Sequence, residues 1–201
     1  MLAAMDEAIG QILAALNEKG LRKQTLIIFS SDNGGDAPDC VSDNGLLRAG
    51  KGTLYEGGVR VAAFAAWEGR IKSGSIVNAP LHIVDWYPTL LRLAGVSAKQ
   101  KLPLDGRDAW AVLTQGKASP HAEILLNSTP NTGAIRVGDW KLVLNGSVPA
   151  INDPTREEVK PEQQSVELFN LANDPYEKQN LSEQQPEKVK ELLTRYHKLA
   201  E

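Results

Sequence analysis

The stretch Thr25-Leu-Ile-Ile-Phe-Ser-Ser-Asp-Asn-Gly-Gly35 decides the fold class, because an apolar run ends abruptly in a polar, glycine-rich turn. Residues 25–29 show no alternation of apolar and polar side chains. Such a run is typical of a strand covered on both faces, as in a parallel sheet. Ligands bind beyond the carboxyl ends of strands in open α/β sheets. Asp32 and Asn33 follow the strand directly, so the pattern predicts a binding site there.

The segments around this strand predict an α/β unit. Upstream, apolar residues recur every three or four positions over residues 2–16, which predicts an amphipathic helix. Downstream, a second apolar run covers residues 59–67. A short helix is predicted over residues 86–93, with Asp85 as its N-cap. Residues 99–121 contain Pro and Gly and are predicted to form a connection.

The last part of the chain predicts a small antiparallel sheet with a C-terminal helix. Short strands separated by turn residues are predicted at 123–127, 134–137, 140–144 and 167–171. Gly138-Asp139 is typical of a hairpin turn, and Pro186 opens the last helix. We therefore divide the chain into an α/β unit, residues 1–118, and a small α+β subdomain, residues 119–201.

The composition excludes several classes of protein. The 201 residues include 22 Lys and Arg against 25 Asp and Glu, giving a formal charge of −3, and there is a single Cys. The mixed, mildly acidic charge argues against a nucleic-acid partner bound by general electrostatics. One Cys excludes an internal disulfide framework, and no run reaches the ~20 apolar residues that a membrane span needs. We expect a soluble globular protein with neither nucleic acid nor membrane as a partner.

Asp32 and Asn33 are candidate metal ligands. A carboxylate and a neighbouring amide oxygen are hard ligands suited to Ca²⁺ or Mg²⁺. Two ligands are too few for a site, so the others must come from elsewhere. An Asp-Asn-Gly sequence is also a common turn, which leaves a purely structural alternative open.

Lys51, in Arg48-Ala-Gly-Lys-Gly-Thr53, is a candidate anion-binding residue because its flanking glycines leave little bulk to block a phosphate or a sulfate. A solvated surface lysine is the alternative. The spacing of a phosphate-binding P-loop is present, but Gly52 occupies the position of the Ser or Thr that binds Mg²⁺.

The remaining residues with reactive side chains are given structural or surface roles. His82 precedes an apolar helix and is predicted to be packed and hydrogen-bonded. His121 and His197 are predicted to lie on the surface. Cys40 has no His beside it in the sequence to act as a base, so nothing supports a nucleophilic role for it.

Further segments match a known pattern when they are taken in order with the strand and turn at 25–35. They are Lys51-Gly-Thr-Leu-Tyr-Glu-Gly-Gly-Val-Arg60, His82-Ile-Val-Asp-Trp-Tyr-Pro-Thr-Leu90, Ala134-Ile-Arg-Val-Gly-Asp-Trp-Lys-Leu142, and Glu167-Leu-Phe-Asn-Leu171 with Asn173-Asp-Pro175. Together these five segments resemble the C-terminal half of a sulfatase, within the alkaline phosphatase superfamily. The arylsulfatase B-like group, which releases sulfate from sulfated sugars, is the most similar.

The resemblance implies a fold, a cofactor and residue roles. Residues 1–118 would be the C-terminal part of a sulfatase α/β sheet with flanking helices, and the antiparallel subdomain would follow. Asp32 and Asn33 would be two ligands of the active-site Ca²⁺. Lys51 would be the catalytic residue that binds the sulfate group of a sulfate-ester substrate and neutralises charge on the leaving oxygen. The segment from Glu56 to Arg60 would hold the turn.

This sequence departs from the family in the nucleophile. Sulfatases use a formylglycine made from Cys or Ser in a Cys/Ser-x-Pro-x-Arg motif, and this sequence contains no such motif. The resemblance therefore implies a sulfatase segment that is inactive alone and needs an N-terminal half. There are two alternatives. One is a noncatalytic metal- or anion-binding module or interaction protein, which could form a homodimer. The other is a fragment of a phosphonate or phosphate monoester hydrolase. The family includes periplasmic, secreted and lysosomal enzymes, so the compartment stays open.

Overall fold

The computed structural model describes residues 1–36, 42–129, 132–146 and 165–200. Its helices and strands, in chain order, are α1 (Leu2–Glu18), a 3₁₀ turn (Arg22–Gln24), β1 (Ile27–Ser30), α2 (Glu56–Val59), β2 (Ala63–Ala66), a second 3₁₀ turn (Ile83–Asp85), α3 (Trp86–Leu93), α4 (Trp110–Gln115), β3 (Ile124–Thr129), β4 (Thr132–Val137), β5 (Trp140–Leu144), β6 (Val166–Asn170) and α5 (Pro186–Ala200).

These elements form two compact units that alternate along the chain. Unit 1 comprises Met1–Ser30 and Ala63–His121, and unit 2 comprises Ser31–Ala62 and Ala122–Glu201. The turn after β1 and the segment that contains Lys51 thus belong to the same unit as the C-terminal sheet. The division at residues 118 and 119 that the sequence suggested stays a prediction.

The first element of unit 1 is the amphipathic helix that the sequence predicts. α1 spans Leu2–Glu18, and Gly20 follows its end with a φ of +65°, a conformation that glycine adopts without strain. None of its residues is buried, and Leu2 and Ile12 are 78% and 61% exposed. No helix in the described part of the chain is long and apolar enough to cross a membrane. Whether the exposed apolar face binds a second copy stays a prediction.

The strand β1 exists where the sequence predicts it, but its neighbour runs in the opposite direction. β1 pairs antiparallel with β2, from Ile27 opposite Ala66 to Ser30 opposite Ala63, and β1 is half-buried. The expectation of a parallel pairing is therefore wrong for this pair. An apolar run reports how much of a strand is covered and carries no information about the direction of its partner.

The helix α3 coincides with the predicted residues, and Asp85 occupies its N-cap position as predicted. The side chain of Asp85 makes no capping hydrogen bond to α3, however, and binds other groups. Its carboxylate accepts hydrogen bonds from the backbone N–H groups of His82 and Arg107, both at 2.8 Å. It also lies 2.7 Å from Nε2 of His121. The side chain of Asp85 is only 3% exposed, so this carboxylate joins three separate backbone segments inside unit 1.

The segments that Asp85 joins contain two histidines and the connection at 99–121, for which the sequence made predictions. His82 is hydrogen-bonded as predicted, because its Nδ1 accepts from the N–H of Val84 at 3.3 Å. His121 is 8% exposed, so its predicted surface location is wrong. The connection at 99–121 contains α4, which the sequence analysis missed. The hydroxyl of Thr89 fixes the start of this helix by accepting from the N–H of Ala109 at 2.9 Å.

Unit 2 contains the predicted antiparallel sheet and C-terminal helix. The sheet order is β3-β4-β5-β6, and Gly138, with a φ of +57°, makes the hairpin between β4 and β5. Leu142 on β5 packs in one apolar cluster with Leu192 and Tyr196 of α5. Val143 packs in a second cluster, on the opposite face. β5 is therefore covered on both sides and forms the centre of the unit.

Candidate functional site

The turn that carries Asp32 and Asn33 lies directly beside Lys51 in unit 2. The N–H of Lys51 donates to the carbonyl of Gly35 at 2.9 Å, and the N–H of Gly34 donates to the carbonyl of Gly58 at 2.9 Å. Main-chain hydrogen bonds thus join the two glycines that follow Asp32 and Asn33 to Lys51 and to Gly58. We call Asp32, Asn33 and Lys51 the candidate site.

Asn44, which the sequence analysis missed, fixes this arrangement through its side-chain amide. Its Oδ1 accepts from the N–H of Gly35 at 2.8 Å, and its Nδ2 donates to the carbonyls of Gly35 at 3.0 Å and Ala49 at 2.9 Å. An amide that both donates and accepts can hold two backbone segments in register, as a pair of strands would. No local sequence signal marks Asn44, because its partners become neighbours only in the folded chain.

Two glycines of the site are required because backbones meet there without room for a side chain. A Cβ on Gly34 would lie 1.7 Å from the carbonyl oxygen of Gly57. A Cβ on Gly57 would lie 2.3 Å from the carbonyl oxygens of Arg48 and Ala49. Glycine permits this close approach of main chains. The turn with Asp32 and Asn33 is therefore packed tightly onto α2, which in turn packs onto the segment that leads to Lys51.

The side chains of Asp32 and Asn33 are oriented by their own turn. Asp32 Oδ1 accepts from the N–H of Asn33 at 3.0 Å, and Asn33 Nδ2 donates to the carbonyl of Gly34 at 2.8 Å. Asp32 Oδ2 and Asn33 Oδ1 accept no hydrogen bond from the described residues. Two oxygen atoms are therefore free to bind a cation, and oxygen is what Ca²⁺ prefers.

These two oxygens fit part of a calcium shell. Ca²⁺ takes about six to eight oxygen ligands. No group of three or more His, Cys, Asp or Glu side chains that could hold a metal occurs among residues 1–36, 42–129, 132–146 and 165–200. The donor chemistry of the turn thus agrees with Ca²⁺, while no cluster of three such side chains among the described residues supplies the rest of the shell.

The ammonium group of Lys51 is exposed. It forms no ion pair and no side-chain hydrogen bond within the described part of the chain. Gly52 follows with a φ of +80°, which only glycine adopts readily. An exposed lysine without an ionic partner among the described residues is suited to bind an anion as a point charge.

The segment before Lys51 is anchored by an aromatic and charged cluster. The Arg48 guanidinium donates to Glu167 Oε1 at 3.0 Å and lies 3.8 Å from the centre of the Tyr55 ring. The Tyr55 hydroxyl donates to Glu167 Oε2. Burial, together with the hydrogen bond to Glu167, raises the pKa of Tyr55 from 10.0 to about 12. This cluster ties the site's loop to β6.

The raised pKa of Tyr55 predicts how stability changes in alkali. The folded state holds the phenol proton more tightly than the unfolded state. The raised pKa of Tyr55 therefore adds to the free energy of unfolding below pH 10, and this addition is lost as the pH rises towards about 12. Tyr55→Phe should therefore flatten the alkaline fall in stability of unit 2, measured by urea unfolding with NMR detection. Replacing exposed Tyr87 by Phe should leave the fall unchanged. Equal pH dependence in wild type and Tyr55→Phe would contradict this assignment.

Beneath the candidate site, three charged side chains meet in the interior of unit 2. Lys141 Nζ lies 2.9 Å from Glu56 Oε1 and 2.8 Å from Glu177 Oε1. Glu177 Oε2 accepts from the N–H of Glu56 at 2.6 Å. The side chains of Lys141 and Glu177 are 0% exposed and that of Glu56 is 5% exposed. Burial raises the pKa of Glu177 above its ordinary value. We call these residues the buried triad.

The buried triad contains Glu56, from the segment expected to hold the turn, and two residues that the sequence analysis missed. Lys141 carries a signal in retrospect. Lys141 lies two residues before Val143 and therefore on the same face of β5. Val143 packs in an apolar cluster on that face, so Lys141 occupies a core-facing position. A lysine at such a position needs a buried acidic partner. Glu177 had no comparable signal, because it follows Asp174-Pro175 in a turn-like sequence.

Predictions were also made for Cys40 and His197. Cys40 lies outside the described residues. His197 is exposed on α5, as predicted.

Comparison with known proteins identifies the family to which this arrangement belongs. Residues 1–96 match the family model described as Sulfatase. Residues 1–96 belong to the sulfatase family. The resemblance drawn from the five sequence segments is thereby confirmed.

Sulfatase relatives match nearly the whole chain. Arylsulfatase J of Mus musculus is 36% identical, over 97% of this chain and 38% of its own length. The crystal structure of PsFucS1 sulfatase from Pseudoalteromonas sp. is 32% identical with a TM-score of 0.74, over 96% of this chain and 40% of that one. Ps i-CgsB in complex with k-i-k-neocarrahexaose is 28% identical with a TM-score of 0.82, over 100% of this chain and 42% of that one.

These matches also bear on the fold and on the extent of the chain. The chain spans about two fifths of the length of the sulfatases it matches. Its helices, two antiparallel sheets and C-terminal helix match a sulfatase-like α/β fragment, which confirms the predicted fold class. The extent is consistent with the C-terminal portion of a sulfatase.

Proposed function

We propose that this chain supplies one side of a sulfuric-ester hydrolase site. In this proposal Asp32 and Asn33 contribute two oxygen ligands to Ca²⁺, and Lys51 binds the sulfate group. The observation that carries the proposal is the main-chain hydrogen bond between Lys51 and Gly35, which joins the segment of this exposed lysine to the turn that carries the two free oxygen ligands. The sulfatase relatives support the reaction class, since sulfuric-ester hydrolysis is the activity that their names describe.

The chemistry of the proposed site follows from the charges of its residues. Lys51 would bind and orient the sulfate through its ammonium and would stabilise negative charge that develops on the leaving oxygen. Asp32 and Asn33 would hold the cation, and Ca²⁺, when bound, would polarise a sulfate oxygen as a Lewis acid. No Cys/Ser-x-Pro-x-Arg motif is present in the sequence, so the nucleophile must come from another segment of polypeptide.

We propose that the sulfate ester is that of a sugar. The support is the structural relative Ps i-CgsB, which was crystallised in complex with k-i-k-neocarrahexaose. A phosphate monoester would use the same ammonium and the same cation, so it is the enzymatic alternative that the experiment has to separate.

Binding can be tested by NMR on the ¹⁵N-labelled chain, titrated separately with Ca²⁺ and with 4-nitrophenyl sulfate. Weak, millimolar binding is expected, because a partial cation shell lacks most of its ligands. Ca²⁺ should shift the backbone amides of Gly34 and Gly35 and the side-chain amide of Asn33, and Asp32→Asn should abolish these shifts. Absence of these shifts in the wild type would contradict the metal assignment.

The anion titration has its own matched variants. Lys51→Met should abolish the shifts caused by 4-nitrophenyl sulfate, whereas Lys72→Met, at another exposed lysine, should leave them intact. Equal shifts in Lys51→Met and wild type would contradict the assignment of Lys51. Tighter binding of 4-nitrophenyl phosphate than of the sulfate would favour the phosphate monoester alternative.

The same probe tests catalysis. Because the nucleophile motif is missing, the isolated chain should bind 4-nitrophenyl sulfate without releasing nitrophenol. Turnover that survives Lys51→Met would contradict both the role of Lys51 and the need for a second polypeptide segment.

A further inference from the structure

We propose that the buried triad of Glu56, Lys141 and Glu177 positions the candidate site, so that residues far along the chain set the geometry of Asp32, Asn33 and Lys51. The inference rests on the proposed function for the identity of the site. It concerns residues that touch neither the cation nor the sulfate of that proposal, and it assigns them a positioning role.

The three residues of the buried triad come from segments that lie far apart in the sequence. Glu56 opens α2, Lys141 lies on the central strand β5, and Glu177 lies in the turn region after β6. The chain separations are 85 residues between Glu56 and Lys141 and 121 residues between Glu56 and Glu177. The triad therefore fastens the short helix α2 to the most buried strand of unit 2 and to a turn beyond it.

A short path leads from the buried triad to the candidate site. Glu177 accepts from the N–H of Glu56 at 2.6 Å, which fixes the first residue of α2. Two residues later, the carbonyl of Gly58 accepts from the N–H of Gly34 at 2.9 Å. Gly34 directly follows Asn33, so a displacement of α2 is transmitted to the metal-binding turn through one hydrogen bond.

The backbone segments that connect the buried triad to the candidate site are closely packed. The carbonyl oxygen of Gly57 lies so close to Gly34 that an added Cβ would be 1.7 Å away. The N–H of Gly57 donates to the carbonyl of Arg48 at 2.8 Å, which links α2 to the segment that leads to Lys51. Close-packed backbones transmit small shifts instead of absorbing them. Both halves of the candidate site are thus coupled to α2.

A buried ionic triad suits this positioning role. Apolar side chains of similar volume often give equal or greater stability than a buried ion pair, so stability alone does not explain it. The ammonium of Lys141 donates to Glu56 Oε1 at 2.9 Å and lies 2.8 Å from Glu177 Oε1, and Glu177 Oε2 accepts from the N–H of Glu56 at 2.6 Å. Directional contacts of this kind select one placement of α2, whereas apolar contacts would accept several.

A positioning role and a purely structural role predict different results. If the triad only stabilises unit 2, its loss should affect all amides of the unit together. If it positions α2, its loss should selectively free the Gly34 amide, whose hydrogen bond to Gly58 depends on α2. Leu142, on the central strand β5, provides the reference amide.

The experiment measures amide hydrogen exchange by NMR in the full chain and three variants. Glu56→Gln removes one charge and keeps the backbone N–H. The triple variant E56Q/K141M/E177Q removes all three charges with little change in volume. Leu192→Ala is the control, because it creates a cavity on the opposite face of the sheet and has no contact with α2.

The expected result is an exchange rate at Gly34, relative to Leu142, that rises about tenfold in Glu56→Gln and further in the triple variant. The same ratio should not rise in Leu192→Ala, because Leu192 packs in one cluster with the reference residue Leu142 and its loss can speed only the reference exchange. A ratio equal to the wild-type value in Glu56→Gln, or an equal rise in Leu192→Ala, would overturn the inference. Glu56→Gln alone decides the question if the triple variant does not fold.

A second readout separates this inference from the proposed function. Where Ca²⁺ shifts the Asn33 side-chain amide in the wild type, Glu56→Gln should weaken the shift several-fold, and Leu192→Ala should not. If the wild type shows no response to Ca²⁺, the proposed function fails, and the exchange ratio at Gly34 still decides whether the triad positions the turn.

Discussion

Replacing Lys141 by methionine is expected to lower the free energy of unfolding of unit 2 by about 3–5 kcal/mol. Lys141 is fully buried and is the cation that faces both Glu56 and Glu177. Its removal leaves two buried carboxylates without a counter-charge, although methionine fills a similar volume. Urea unfolding, followed by the NMR signals of unit 2, measures the loss.

The matched control for this variant is Lys190→Met, the same substitution at an exposed position of α5. It should leave unfolding nearly unchanged. A loss in Lys141→Met no larger than that in Lys190→Met would show that the buried carboxylates do not need the lysine.

Asp85→Ala is expected to lower the free energy of unfolding of unit 1 by about 3 kcal/mol or more, since it leaves several buried donors without an acceptor. The Asp85 carboxylate receives the backbone N–H groups of His82 and Arg107 and lies 2.7 Å from His121 Nε2. Urea unfolding followed by the NMR signals of unit 1, in particular the Ala109 amide at the start of α4, measures the effect.

Two further substitutions calibrate this result. Asp85→Asn keeps the shape and one acceptor, so it should cost less than Asp85→Ala. Asp108→Ala removes a more exposed carboxylate, which pairs with Arg92 at 3.0 Å, and should cost least. The account of Asp85 is wrong if Asp85→Ala and Asp108→Ala unfold at the same urea concentration.

The parts of the fold that the sequence predicts correctly are those decided by local patterns. The periodicity of α1 and α5, the apolar run of β1 and the hairpin at Gly138 depend on residues close in the sequence. The predicted and observed bounds of α3 and of β5 coincide, at 86–93 and 140–144. Each of these elements carries its own apolar pattern, and turn residues limit it at both ends.

The parts that the sequence does not predict depend on which segments meet in the folded chain. Contacts between residues far apart in the sequence determine three such features. They are the antiparallel direction of β2, the burial of His121 and the pairing of Lys141 with Glu177. In the candidate site, Asp32, Asn33 and Lys51 were found through their residue types and their family motifs. Asn44 and Glu177 were missed, because a polar residue in a loop gives no indication of its distant partner.

We propose above that Asp32, Asn33 and Lys51 form one site for a cation and a sulfate group. The most direct test is to measure the affinity of the chain for 4-nitrophenyl sulfate, by NMR titration, with and without Ca²⁺. Binding at adjacent positions couples the two ligands, and the coupling must be reciprocal. We predict that Ca²⁺ lowers the apparent Kd for 4-nitrophenyl sulfate several-fold in the wild type and has no effect on it in Asp32→Asn. An affinity that Ca²⁺ leaves unchanged in the wild type would contradict the claim.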